Sequence, residues 1–341
     1  MRVRNGNRGR AGVATLVGGL FVVVGCGASQ PPPEEPLVAD PPLGAEESPS
    51  ASAANKALAQ GIEEIKAERF AEAKPHLEQA LSLKPDSAEA AYYLGLVSEK
   101  TEDLAGAEKH YKHALQIDPT LAEAAVNLGA IYLEEPARPD EAIAAMTPAV
   151  AKAADATRLH QNLAYAYSLK KAYDKASKEY EAALSKGASP ELHFAYGGML
   201  LEAKQGEKAA EQLRKALAGA GDDVALIASV GRMLGPAGAY ADCVKAFDRA
   251  IQLKPDAAEL FVRRGTCRHE LKDEPGARAD YQAAIKADPK FAPAHYYLGM
   301  SWLGEKKTQN ALAAFDQASK VGGDSEIGKR AREKMKELGK K

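Results

Sequence analysis

The sequence has few cysteines, a single tryptophan and no apolar run long enough for a helical membrane span. Its three cysteines, Cys26, Cys243 and Cys267, do not form a spaced cluster of the kind that binds zinc. The apolar stretch 11–24 is shorter than the roughly 20 residues that such a span needs. Phosphate-binding loops and nucleophile elbows are missing as well. These absences leave catalysis and nucleotide binding without support from the sequence.

The sequence does contain one unit that is repeated eight times. Small residues recur at steps of 34 residues, apart from one step of 35 and one of 33. This series is Gly61, Gly95, Gly129, Ala164, Gly197, Gly231, Gly265 and Gly299. An alanine series runs in phase with it, at Ala80, Ala114, Ala149, Ala183, Ala216, Ala250, Ala284 and Ala318. Such regular spacing predicts a stack of equivalent structural units.

Each unit predicts a pair of short amphipathic helices. In the second copy, Leu94 and Val97, followed by Leu104, Tyr111 and Leu115, lie at helical spacing. The small residues are expected where two helices approach closely, because a larger side chain would hold the backbones apart. The predicted units are 54–87, 88–121, 122–156, 157–189, 190–223, 224–257, 258–291 and 292–325.

Two units depart from the pattern between their helices. The third has EEPARPD at 134–140, and the sixth has GPAGA at 235–239. Proline and glycine there predict a shortened first helix and a distinct loop in each unit. Each loop either recognises a partner or reflects sequence variation that a surface turn tolerates without functional effect.

The repeated unit resembles the tetratricopeptide repeat. The match in the second copy rests on Leu94, Gly95, Ala107, Tyr111, Ala114 and Pro119, and that in the eighth on Leu298, Gly299, Trp302, Ala311, Phe315 and Ala318. The resemblance covers roughly four-fifths of the chain. It implies an all-α fold, an α-solenoid wound as a right-handed superhelix of about eight helix-turn-helix repeats, with a C-terminal capping helix.

The N-terminal residues resemble a bacterial lipoprotein signal. Four arginines precede the apolar stretch 11–24, and the segment 1–26 ends in VVVGC. The resemblance implies a signal peptide at 1–25, lipid attachment at Cys26 with diacylglyceryl and fatty acyl (palmitate) groups, and cleavage before that cysteine. In some bacterial lipoproteins, an aspartate directly after the lipid-bearing cysteine retains the protein in the inner membrane. This sequence has Gly27 at that position, so the resemblance favours the outer membrane. An ordinary secretory signal or an uncleaved anchor is the alternative.

Two further segments flank the repeats. Residues 26–53 carry seven prolines, five acidic residues and no lysine or arginine, so they are expected to form a disordered tether. Residues 326–341 are helical in pattern and basic, and they are expected to cap the last repeat. The alternative for this basic helix is contact with anionic lipid or an acidic partner. Removing the four arginines of the signal changes the formal net charge from −2 to −6. A protein with this net charge is not expected to have the extended basic surface that binds nucleic acid.

The resemblance also implies a concave groove lined by the first helix of each pair. The groove positions carried over from the family are Tyr92, Tyr93, Asn127, Asn162, Tyr165, Phe194, Arg232, Arg263, Tyr296, Tyr297 and Met300. Asn127 and Asn162 are equivalent, at a place where family members hold a peptide backbone, although asparagine is common there in any case. Chaperone-binding members of the family hold a C-terminal carboxylate with lysines in the groove. The lysine positions here are occupied by Leu58, Tyr92, Val126 and Gln161, so a chaperone C-terminus is not expected as the ligand.

Two groups of residues have side chains that could bind a metal or form a disulfide. His110 and His113, with Glu108 nearby, could share a metal, but a solvated helix face is the favoured interpretation because a clear third ligand is lacking. Cys243 occupies a small-residue packing position, and Cys267 lies in the next first helix. The favoured interpretation is two buried free thiols, with a disulfide as the alternative in an oxidising periplasm. No metal, cofactor or small-molecule substrate is expected.

Together these features predict a non-enzymatic scaffold or adaptor, lipid-anchored in the bacterial envelope and facing the periplasm, that binds a protein or peptide segment in its groove. The alternative is a regulator or pilotin-like assembly factor for an envelope enzyme or a secretion or pilus complex. Two further alternatives are an enzyme with its catalytic residues in the loops and a structural protein that forms oligomers.

Overall fold

The computed structural model describes residues 16–17, 20–21, 48–134, 136–153 and 155–339. The two short stretches are strands β1 (Leu16–Val17) and β2 (Leu20–Phe21), which pair antiparallel. Apart from this hairpin, every element of regular structure in the described residues is an α-helix. Cys26 and the predicted tether up to residue 47 lie outside the described residues, as does most of the predicted signal peptide.

Seventeen helices follow one another along the described part of the chain. They are α1 Pro49–Lys66, α2 Phe70–Leu83, α3 Ala88–Lys100, α4 Leu104–Ile117, α5 Ala122–Leu133, α6 Pro139–Val150, α7 Thr157–Leu169, α8 Tyr173–Lys186, α9 Pro190–Glu202, α10 Gly206–Gly219, α11 Val224–Leu234, α12 Tyr240–Leu253, α13 Ala258–Glu270, α14 Glu274–Ala287, α15 Ala292–Gly304, α16 Thr308–Gly322 and α17 Glu326–Gly339. Each predicted unit contains one helix pair, which confirms the all-α repeat fold. No helix within the described residues combines the length and apolarity needed to cross a bilayer.

Helix α1 begins earlier than the sequence predicted. Residues 49–53, assigned to the tether, form its first turn instead. The Ser48 side chain accepts a hydrogen bond from the Ala51 backbone N–H, and Pro49 stands at the first helical position, where its missing N–H costs nothing. The Ser48 cap and Pro49 therefore allow the helix to begin within a segment whose composition predicts disorder.

The glycine series marks where the two helices of a pair make their closest contact. A Cβ added at Gly95 would lie 2.5 Å from ring atoms of Tyr111, and one added at Gly231 would lie 2.9 Å from the Phe247 ring. The large side chain follows the glycine by 16 residues in both cases, and Gly129 has the same relation to Met146, 17 residues later in the longer third unit. The small residues therefore let a bulky side chain of the second helix pack directly on the first helix backbone.

The turn between the two helices of a pair repeats one backbone geometry. In the second repeat, Glu102 has a positive φ of 62°, and the Asp103 N–H donates to the Ser98 carbonyl oxygen at 2.8 Å. Residues with φ between 56° and 78° occupy the equivalent place in six further repeats, at Glu68, Lys171, Lys204, Gly238, Lys272 and Lys306. This is a Schellman ending, with a glycine at the left-handed position in only one of these turns.

The two unusual repeats do have shorter first helices. Helix α5 has 12 residues and α11 has 11, against 13 in α3, α7, α9, α13 and α15. Proline and glycine after these helices end them early, as predicted.

The chain divides into two compact units, Met1–Ala188 and Ser189–Lys341. In the first, a buried cluster runs through the helix pairs of repeats one to four and includes Leu77, Tyr111, Met146 and Leu163. In the second, Phe315 and Ala318 of α16 pack with Ala331 of α17 in the last cluster. Helix α17 thus covers the apolar face of the eighth repeat within that unit.

The favoured interpretation of Cys243 and Cys267 as free thiols is wrong. The two residues form a disulfide, and their Cα atoms are 6.2 Å apart. Cys243 lies on α12 and Cys267 on the following helix α13, and both side chains are buried. The stacking of one repeat on the next brings the two positions within bonding reach, although 24 residues separate them in sequence.

Candidate functional site

A cavity of about 560 Å³ lies in the second unit, where the first helices of three successive repeats face it. Helix α11 contributes Arg232, α13 contributes Arg263, and α15 contributes Tyr296, Tyr297 and Met300. All five are groove positions predicted from the sequence. The repeat geometry places them on one surface because each occupies an equivalent stretch of its own helix.

Aromatic side chains form one wall of the cavity. The Tyr296 and Tyr297 rings meet edge to face, with centroids 5.6 Å apart, and Tyr297 stacks on Tyr281 at 5.8 Å. Tyr296 also packs against Phe315, at a centroid distance of 5.6 Å. Because both tyrosines are held by ring contacts, the wall offers a preformed apolar surface with hydroxyl groups that can form hydrogen bonds.

Positively charged side chains also line the cavity. Burial lowers the pKa of the Arg232 guanidinium, and the nearby positive charge of Arg263 lowers that pKa further. Arg232 donates a hydrogen bond to Ser229 Oγ at 2.7 Å, while Arg263 pairs with Glu259 along the helix surface at 3.2 Å. Two guanidinium groups that repel each other beside a cavity favour an anionic occupant.

The disulfide forms part of the same cavity. Both Cys243 and Cys267 line it, together with Thr266 and Glu270 of α13. Thr266 and Glu270 were not predicted as site residues. Their spacing from Arg263, three and seven residues along a helix, is the signal that could have found them, since positions so spaced share one face.

The other predicted groove residues lie elsewhere. Tyr92, Tyr93 and Asn127 in the first unit are at most 5 % exposed, and Phe194 in the second unit is 3 % exposed. The Asn127 amide donates to the Tyr111 hydroxyl oxygen at 3.1 Å, and that hydroxyl donates to Glu99 at 2.8 Å. These four side chains are used in helix packing and are not part of an open surface.

Asn162 and Tyr165 of α7 are half-buried. Neither side chain is among those that line the cavity described above. Their role in partner binding stays a prediction.

The Glu108 carboxylate, the third candidate ligand beside His110 and His113, is engaged by two cationic side chains. Glu108 accepts hydrogen bonds from Arg138 at 2.7 Å and from Lys112 at 2.6 Å. Burial lowers the pKa of His110. Within the described residues, no group of three or more histidine, cysteine, aspartate or glutamate side chains could hold a metal ion.

The buried carboxylate of Asp280 likewise has a structural explanation. It is 2 % exposed, and it accepts hydrogen bonds from Arg264 at 2.5 Å and from Arg268 at 3.0 Å. The two arginines of α13 thus compensate the buried charge of α14, and Asp280 is not among the residues that line the cavity.

The fold and the cavity thus define a helical-repeat protein with a candidate binding surface. The chain belongs to the tetratricopeptide repeat family: one family model with that description matches residues 58–122, 173–224, 237–290 and 275–324, and a second matches 157–185. Repeats of this family generally serve as non-catalytic scaffolds for protein–protein interaction.

Individual relatives are distant. The chain is 28 % identical over 98 residues to the small glutamine-rich tetratricopeptide repeat-containing protein 2 of Mycosarcoma maydis, a match that covers 29 % of this chain and 28 % of that protein. The chain therefore matches less than a third of that relative's length.

Solved structures of similar fold have low sequence identity. A tetratricopeptide repeat protein from Parabacteroides merdae ATCC 43184 is 20 % identical, with a TM-score of 0.45, and the match covers 74 % of this chain and 98 % of that one. YrrB, described as a TPR protein with an unusual peptide-binding site, is 18 % identical with a TM-score of 0.40, over 68 % of this chain and 97 % of that one. These likenesses concern the fold alone.

Proposed function

We propose that this protein is a non-enzymatic adaptor that binds a segment of a cell-envelope protein in the cavity of its second unit. The observation that carries the proposal is the convergence of Arg232, Arg263, Tyr296, Tyr297 and Met300 on one cavity. Tyrosine and arginine are among the side chains enriched at the energetically dominant positions of protein interfaces, and each combines a large contact area with hydrogen bonding.

The size of the cavity supports a peptide segment as the occupant. A volume of about 560 Å³ is large enough for a few side chains but far too small for a folded domain. The tyrosine wall would cover an apolar side chain, while the arginines would fix the orientation of the segment.

A photocrosslinking experiment tests this proposal. A photoreactive phenylalanine analogue replaces Thr266, which lines the cavity, in one variant and Lys245 in a matched control. Lys245 lies on the neighbouring helix α12, and its side chain is 71 % exposed. We expect a discrete protein adduct in membranes from the Thr266 variant only. Identical adducts from both positions, or none from Thr266, would contradict the proposal.

The proposed setting is the outer membrane, facing the periplasm, with a lipid anchor at Cys26. The arginine-rich start, the short apolar run and the terminal VVVGC support this anchor. The Cys243–Cys267 disulfide also supports an extracytoplasmic location, because such bonds persist in oxidising compartments. A tethered adaptor would act by raising the local concentration of its binding surface near the membrane.

A further inference from the structure

The charged side chains that line the cavity are mostly positive. Three guanidinium groups, those of Arg232, Arg263 and Arg330, line it against the single carboxylate of Glu270. By contrast, the mature protein expected from the sequence is acidic overall. The positive charge is therefore a local feature of this cavity and does not reflect the composition of the chain.

Two of these arginines have ion-pair partners that an incoming anion can replace. Arg263 pairs with Glu259, and Arg330 pairs with Glu326, each within one helix at 3.2 Å. All four side chains are about half exposed or more. Solvent-exposed pairs of this kind contribute little free energy, so exchanging a helix glutamate for a carboxylate of a ligand costs little.

We propose, building on the function proposed above, that the partner segment is acidic and that one of its carboxylates lies between Arg232 and Arg263. Such a carboxylate accepts hydrogen bonds from both guanidinium groups and removes their mutual repulsion. An adjacent apolar side chain of the same segment packs on Tyr297 and Met300. This combination favours a peptide over a small free anion, which would leave the aromatic wall uncovered.

The acidic character of the whole chain excludes long polyanions from this arrangement. A nucleic acid presents many phosphates, and binding it requires a basic surface extending well beyond one cavity. A short acidic stretch within a protein matches both the local charge and the limited volume.

Selection from a random peptide library tests the inference on the full chain in detergent. Twelve-residue peptides displayed on phage are selected in parallel on the wild type, on the double variant Arg232→Gln/Arg263→Gln and on the control Arg214→Gln. The control removes one guanidinium group where the double variant removes two, and its Arg214 pairs with Asp242 at 2.7 Å outside the cavity lining. Circular dichroism confirms that each variant is folded.

We expect aspartate and glutamate to be enriched on the wild type and on Arg214→Gln but not on the double variant. The most enriched peptide and its asparagine/glutamine counterpart are then compared by fluorescence anisotropy. Replacing the acids by amides should weaken binding to the wild type at least tenfold and binding to the double variant less than twofold.

Two outcomes would overturn the inference in distinguishable ways. If neutral or basic peptides are enriched and Met300→Ser weakens their binding, the segment is not acidic, but the cavity still binds peptides and the proposed function stands. If the wild type enriches no peptide, both the acidic segment and the proposed function are wrong.

Discussion

The size of one side chain sets the distance between the two helices of a repeat. Gly95 faces the ring of Tyr111, which is fully buried and is held at its far end by hydrogen bonds with Glu99 and Asn127. The ring therefore has little freedom to move away from a methyl group added at position 95. At Gly304, by contrast, an added Cβ would have no other atom within 4 Å.

This contrast predicts opposite effects of the same substitution. Gly95→Ala should lower the free energy of unfolding by about 1 to 3 kcal/mol through overpacking. Gly304→Ala should leave it unchanged or raise it by up to about 1 kcal/mol, because alanine is the better helix former. Urea denaturation followed by circular dichroism measures both. Equal stability of the wild type and Gly95→Ala would mean that the Tyr111 ring can shift and that close approach is not the constraint.

At the same scale, the sequence predicts the packing positions but not the left-handed backbone conformation in the turns. Glycine and alanine at Gly95, Ala107 and Ala114 stand out because only small side chains fit there. The left-handed residue of the turn is Glu102 in this repeat and Lys272 in the seventh. Exposed charged residues at these places carry no signal, since hydrogen bonding of the surrounding backbone, and not residue type, imposes their conformation.

Among the elements, the loop between α5 and α6 is fixed by a side chain that crosses to the preceding repeat. Arg138 stands just before α6, and its guanidinium lies over the Tyr132 ring at 4.3 Å while donating to Glu108 of α4 at 2.7 Å. The hydrogen bonds from Arg138 and Lys112 lower the pKa of Glu108 from its ordinary 4.5 to about 2. This contact makes part of the unusual EEPARPD loop a structural feature.

The lowered pKa predicts a pH-dependent contribution to stability. Since the folded state holds the Glu108 proton less tightly than the unfolded state does, the stabilisation is complete above about pH 4.5 and is lost as the pH falls towards 2. The difference in unfolding free energy between the wild type and Glu108→Gln should therefore shrink over that range. In an Arg138→Gln background the difference should be smaller and should depend less on pH. The same pH dependence in both backgrounds would show that Arg138 does not cause it.

The disulfide between α12 and α13 joins two repeats covalently. It closes a loop with a sequence separation of 24 residues, and constraining the unfolded chain over such a length stabilises the fold by about 3 kcal/mol. Cys243→Ala places at this position the alanine found in the seven other repeats, so packing should be preserved. We expect this variant and the reduced wild type to unfold at the same urea concentration, below that of the oxidised protein. Coincidence of all three transitions would contradict a stabilising bond.

At the scale of the whole chain, the repeat period was sufficient to predict the architecture, but not the location of the binding surface. Equivalent positions such as Tyr93, Asn127 and Arg263 look alike in the sequence because each has the same place in its repeat. The structure separates them, since neighbouring side chains bury the first two and leave the third beside a cavity. Which copy of a repeated position is open depends on contacts between repeats, and these contacts are not encoded in the period.

The chain as a whole is expected to be attached to the membrane through Cys26. Several acyl chains on this residue would hold it firmly, at about 0.8 kcal/mol for each buried methylene group. Expressed in a bacterial host with an alkyne-tagged palmitate analogue, the wild type and Cys243→Ala should both incorporate the label, and mass spectrometry should find a chain that begins at Cys26. Cys26→Ala should incorporate none and should not be cut before residue 26. Labelling of Cys26→Ala, or an unlabelled wild type, would instead favour an ordinary secretory signal or an uncleaved anchor.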